Sequence, residues 1–85
     1  MAEIIRFQAL AFDIVEGSLV EGQRIDCENP ALAIQTAQGL WKIFGHAGAV
    51  AISRTSYFGR QESNRRFVLR RFGQVPEEYL ETVDE

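Results

Sequence analysis

The run "IIRFQALAFDIV", residues 4–15, constrains the fold more than any other stretch of the chain. It is dense in β-branched and aromatic residues and reads as a strand, whose side chains point alternately to two faces. Ile5, Phe7, Ala9 and Ala11 fall on one face; Ile4, Leu10, Phe12 and Ile14 fall on the other, with Arg6 and Gln8. Both faces are substantially apolar, so the strand needs cover on both sides, at least over its second half.

One long helix is on offer for that cover. "NPALAIQTAQGLWKIFGH", residues 29–46, opens with Asn29, a good N-cap, and Pro30, whose missing N–H costs nothing at the first helical position. Ala33, Ala37, Leu40, Trp41 and Phe44 make a stripe at helical spacing, widened by Leu32, Thr36 and Ile43. Gly45 stands where a left-handed C-cap residue belongs. Gly39 lies mid-helix, at a cost of about 1 kcal/mol against alanine; a close approach of the helix to a neighbouring element would explain it.

The remaining segments alternate turns and strands. "EGSLVEGQ" (16–23) reads as a turn or hairpin loop and "RIDCE" (24–28) as a short second strand. "AGAVAISRTS" (47–56) begins a third strand, with Val50 and Ile52 on one face and Ala49, Ala51 and Ser53 on the other. The alanines leave room for a bulky helix, and Trp41 is expected over them. "YFGRQESN" (57–64) reads as a polar loop. "RRFVLRRF" (65–72) is a fourth strand, with Phe67 and Leu69 opposite Arg66, Val68, Arg70 and Phe72. "VPEEYLETV" (75–83) sets two acids after a proline, the start signal of a short final helix. The order β-β-α-β-β-α predicts a single α+β domain over residues 1–85: an antiparallel sheet of three to four strands with the long helix packed on one face.

The helix covers only one face. Leu10, Phe12 and Ile14 of the first strand, with Val68 and Phe72 of the fourth, are expected on the other. The final helix, through Tyr79, Leu80 and Val83, would cover part of that face. A second subunit would cover the rest, which makes those five residues the candidate subunit interface of a homo-oligomer.

Charge enters at residues 53–73, "SRTSYFGRQESNRRFVLRRFG", where six arginines meet one acid. Arg54, Arg60, Arg65, Arg66, Arg70 and Arg71, with Tyr57 and Phe58 in the loop, are candidate anion- or partner-binding residues. Arginine forks pair with phosphates, and aromatic rings stack on bases. Against nucleic acid stands the chain as a whole, with a formal net charge of −3. Glu77, Glu78, Glu81, Asp84 and Glu85 follow directly and are able to fold back onto the arginines. Strand alternation also separates Arg65 and Arg71 from Arg66 and Arg70. Structural ion pairing is the favoured reading.

Other chemistry is sparse. Cys27 is the only cysteine, which excludes an intrachain disulfide and a multi-cysteine metal site. His46 reads as a helix-end residue and Asp13 as a strand-end residue reaching water. "GHAG" (45–48) runs from helix to strand, the wrong order for a phosphate cradle. No catalytic residue, metal ligand or cofactor is expected. A basic leader and a membrane-length apolar run are both missing, so the reading is a soluble cytoplasmic protein with no membrane partner.

Gly48, Ala49, Val50, Ser53 and Arg54 of "AGAVAISRTS", followed by Phe72, Gly73, Val75, Pro76 and Glu77 of "LRRFGQVPEEY", resemble a pattern of small uncharacterised bacterial proteins. The resemblance covers roughly the second half of the chain. It implies a bacterial origin and no known activity. The functional expectation is therefore a non-enzymatic, oligomeric protein-interaction module. The alternatives are a nucleic-acid-associated regulator using the 54–71 arginines and a small-ligand-binding domain built at a subunit interface.

Overall fold

A computed structural model describes residues 2–58, 63–79 and 83–84, with side chains placed over 4–56 and 66–79. The elements are β1 (Ala2–Val15), β2 (Ser18–Cys27), α1 (Pro30–Lys42), β3 (Gly48–Phe58), β4 (Ser63–Gly73), a 3-10 turn (Glu77–Tyr79) and a two-residue β5 (Val83–Asp84). The sheet order is β2-β1-β3-β4-β5, and every neighbouring pair is antiparallel. The α+β class and the antiparallel sheet under one helix are as expected. β1 and β3 are central strands, which is why β1 carries apolar side chains on both faces.

The first hairpin is tighter than its sequence suggests. Val15 pairs with Ser18, so only Glu16 and Gly17 form the turn, at φ values of 50° and 81°. Two successive positive φ values match the right-handed twist of the flanking strands, and glycine takes the second without strain. Most of the expected loop 16–23 is therefore strand. It regains register through a bulge, where Leu10 faces Arg24 and Phe12 faces Glu21.

Helix α1 starts as its cap predicts: Asn29 Oδ1 accepts from the Leu32 amide at 2.8 Å. It lies on the sheet through Ala33, Ala37 and Leu40, which cluster with Ala9, Ala11, Ala49 and Ala51 of β1 and β3. Small residues on both sides let the two backbones approach closely. Trp41 sits at the helix end, stacked on Phe72 with ring centroids 5.8 Å apart, beside Gly73. Gly39 has no close neighbour: a Cβ there would meet only Ile43 Cδ1, at 4.0 Å. The helix then unwinds, with the Ile43 and Phe44 amides both donating to the Gly39 carbonyl, at 2.8 and 3.0 Å. Gly45 at φ 77° turns the chain away. Ile43 and Phe44 consequently leave the expected stripe and face solvent.

The second face is covered by the tail. Leu10, Phe12, Val50 and Ile52 are buried beneath Tyr79, with Leu19, Val68 and Val75 packed around them. The Tyr79 ring lies 5.2 Å from that of Phe12. Where the final helix was expected, the described residues form a single 3-10 turn, and α1 is the one α-helix among the described residues. Burial of Tyr79 and pairing of β5 with the open edge of β4 outweigh the proline–acid start signal. Leu80 lies outside the described residues, and Val83 is placed by its backbone alone.

A bulge in β4 overturns the expected alternation. Ala51 pairs with Arg70 but its neighbour Ile52 pairs with Val68, leaving Leu69 as the extra residue. Arg70 and Phe72 therefore share the helix side with Ala51 and Ala49, while Val68 and Arg66 take the opposite side with Ile52 and Arg54. The five expected interface residues do not form one surface. Leu10 and Phe12 are buried by the chain itself, Val68 is half-buried beside them, Phe72 faces the helix side, and Ile14 alone is well exposed.

Candidate functional site

Residues directly opposite in an antiparallel sheet share a face. Arg6 of β1 pairs with Arg54 of β3, and Arg54 pairs with Arg66 of β4. Three arginines thus form one row across three strands, on the face away from α1. Neighbouring strands are about 5 Å apart, so the row spans roughly 10 Å. The next row along the strands is Gln8, Ile52 and Val68. The tail that covers the apolar part of this face also touches the row. Arg66 Nη2 donates to the Glu78 carbonyl at 2.6 Å, and its guanidinium lies 4.4 Å over the Tyr79 ring. Burial raises the Tyr79 phenol above its usual pKa, and the Glu21 charge adds to this, so the ring under Arg66 is neutral at physiological pH.

Of the five acids expected to pair with these arginines, only Glu77 and Glu78 have described side chains. Arg66 meets a backbone carbonyl and a ring. Among the described residues no carboxylate pairs with Arg6 or Arg54. Arg24 bridges Glu21 at 3.0 Å, an exposed pair of little energetic weight. The tail does return to β4, with Asp84 opposite Arg65 and Val83 opposite Arg66.

Three buried side-chain polar atoms among the described residues have no hydrogen-bond partner: Gln8 Oε1, Arg54 Nε and Arg66 Nε. All three belong to the two adjacent rows on this face. Gln8 is only 6% exposed, and its Nε2 is used up by Asp26 Oδ1 at 2.8 Å. Buried polar groups are nearly always paired, so such a cluster calls for an explanation.

The other expected arginines are dispersed. Arg71 reaches the same face by pairing with Val50 and has a partner of its own. Arg70 lies on the helix side, 5.9 Å from the Phe72 ring centroid. Arg65 is placed by its backbone alone, and Arg60 lies outside the described residues. Tyr57 and Phe58, expected in the loop, are the last two residues of β3, and only their backbone is described. Arg6 and Gln8 escaped the sequence reading because they sit far from the arginine-rich segment. Their only sequence signal is that they interrupt one face of an apolar strand.

A second constellation lies at the end of α1. His46 Nδ1 bonds the Asp13 carboxylate, 3.0 Å from Oδ1 and 3.1 Å from Oδ2. Each residue was legible alone, but their contact is long-range. Just before His46 in the chain, Ile43 and Phe44 are 78% and 73% exposed, and on the hairpin that carries Asp13, Val15 and Val20 are 52% and 40% exposed. Val20 pairs with Asp13, and Val15 is two residues along the same face of β1. Cys27 is half-buried and touches the Ile25 carbonyl and Thr36 Oγ1, each at 3.7 Å, a packing role.

Among the described residues, no group of three or more His, Cys, Asp or Glu side chains is placed to hold a metal ion. No described helix is long and apolar enough to cross a membrane. No family model, no curated protein and no solved structure matches the chain.

Proposed function

We propose that this chain is a non-enzymatic association module that pairs with a second copy of itself through the apolar end of the molecule. The observation that supports this reading is the exposure of Ile43 and Phe44 at the end of α1 and of Val15 and Val20 on the hairpin to which His46 is bonded. Burying one such side chain is worth about 1.5–3 kcal/mol, and Gly45 turns this segment out of the core. The His46–Asp13 pair holds the helix end against the β1–β2 hairpin, so the patch is presented on a fixed base. Its polar centre inside an apolar surround gives a contact both drive and orientation. This interface replaces the Leu10-centred one, whose Leu10 and Phe12 the tail already covers.

Sedimentation velocity across a dilution series tests the reading. The expected result is a dimer or higher oligomer that dissociates on dilution, and a monomer for the Ile43→Glu/Phe44→Glu variant with unchanged far-UV circular dichroism. A wild-type chain that stays monomeric at its highest soluble concentration overturns it. So does a double variant that associates as well as the wild type.

A further inference from the structure

We infer that the sheet face away from α1 carries an oxyanion site, centred on Arg54 and flanked by Arg6 and Arg66, that binds phosphate groups. Like charges placed directly opposite one another in a sheet are destabilising. Here the register sets three in a row, and no described carboxylate bridges Arg6 or Arg54; the described acids closest to the row are Asp26, bonded to Gln8, and Glu21 and Glu78, which act on Tyr79. The fold bears that repulsion at the one place where its unpartnered buried nitrogens, Arg54 Nε and Arg66 Nε, also gather. An anion lying over Arg54 offsets that repulsion.

The arrangement suits phosphate better than carboxylate. Each guanidinium presents a planar fork that matches two oxygens of a phosphate. Three forks on three neighbouring strands, about 5 Å apart, converge on a group offering three or more oxygens, whereas a carboxylate offers two. Arg66 is already held, by the Glu78 carbonyl and by the Tyr79 ring, so one fork is ordered in advance. Gln8 Oε1, in the adjacent row, is an acceptor without a donor. The site is independent of the association surface, which lies at the end of α1.

The shared chemistry comes from two sources, a free phosphate compound or a nucleic-acid backbone. Inorganic pyrophosphate and a fluorescent single-stranded oligonucleotide are the probes, titrated into the full-length chain by calorimetry and by anisotropy. Arg54→Gln tests the centre of the site, and Arg6→Gln tests its exposed flank without touching the core. Lys42→Gln removes one positive charge at the end of α1 and controls for net charge.

Arg54→Gln and Arg6→Gln are each expected to weaken binding at least tenfold, roughly the value of one charge-assisted contact, with Lys42→Gln near wild type. Pyrophosphate binding without oligonucleotide binding assigns the site to a free phosphate compound. Oligonucleotide binding assigns it to a backbone, with affinity falling about as the second power of salt and about 0.7 of a power less steeply in Arg54→Gln. Absence of binding to both probes overturns the inference. Equal losses in Arg54→Gln and Lys42→Gln also overturn it, because net charge then explains the binding.

Discussion

The two faces of the sheet solve the same burial problem in opposite ways. On the helix side, Ala9, Ala11, Ala49 and Ala51 meet Ala33 and Ala37 across a thin layer of small residues. On the other side, Leu10, Phe12, Val50 and Ile52 meet essentially one aromatic, Tyr79. A helix is a broad, pre-formed lid, so the sheet beneath it is pared down to let the backbones approach. A tail segment is a narrow lid, so the sheet beneath it supplies the bulk. Along the same face Gln8 and then the row of three arginines introduce polar side chains, and the tail meets that row at Arg66. The open side of a sheet is where a chain this small has room for a binding surface.

Mutations at matching positions on the two faces sharpen this contrast. Phe12→Ala should have the largest effect, a loss of about 3–5 kcal/mol, because it removes the large residue on which the tail packs. Ala51→Leu should cost about 1–3 kcal/mol by overfilling the layer under α1. Urea unfolding monitored by circular dichroism measures both. The contrast fails if Phe12→Ala is tolerated or if Ala51→Leu stabilises the fold.

Gly39 probes the same helix lid from its far side. The space at this position admits a Cβ, so Gly39→Ala should raise stability by about 1 kcal/mol. A lower melting temperature in that variant would mean that the helix lies closer to a neighbour than the geometry allows.

The smallest effect at neutral pH concerns the tail lid. Burial raises the Tyr79 pKa above the ordinary phenol value of 10.0, with the Glu21 charge adding to the rise. The folded state then holds its phenolic proton more tightly than the unfolded state. That stability is fully present below pH 10 and is lost as pH rises through the folded-state pKa. Tyr79→Phe removes this titration, so stability above pH 10 should fall less steeply in the variant than in the wild type. Identical alkaline limbs in the two proteins would place the Tyr79 hydroxyl in water.

Several elements could be read from local sequence because their causes are local. Asn29 and Pro30 start α1 through their own side chains, and the two-sided apolar pattern of residues 4–15 marks a strand covered on both faces. The length of β2 was hidden by "EGSLVEGQ", where one Glu-Gly pair makes the turn and the other lies in a bulged strand. The final turn was misread because Pro76, Glu77 and Glu78 signal a helix locally, while Tyr79 answers to Phe12, far away in sequence. The candidate arginines fared worst. Arg66 and Arg70 were expected to share a face, and the extra residue Leu69 separates them. Arg6 joins Arg54 only through the pairing of β1 with β3.

Sequence alone therefore determined the strand types, the capped helix and the need for cover on both sides of β1. Each of these follows from side-chain periodicity or from capping groups within a few residues. Tertiary structure decided which segment covers which face and which arginines share a row. Those outcomes depend on strand register, which long-range pairing sets and a one-residue bulge reverses.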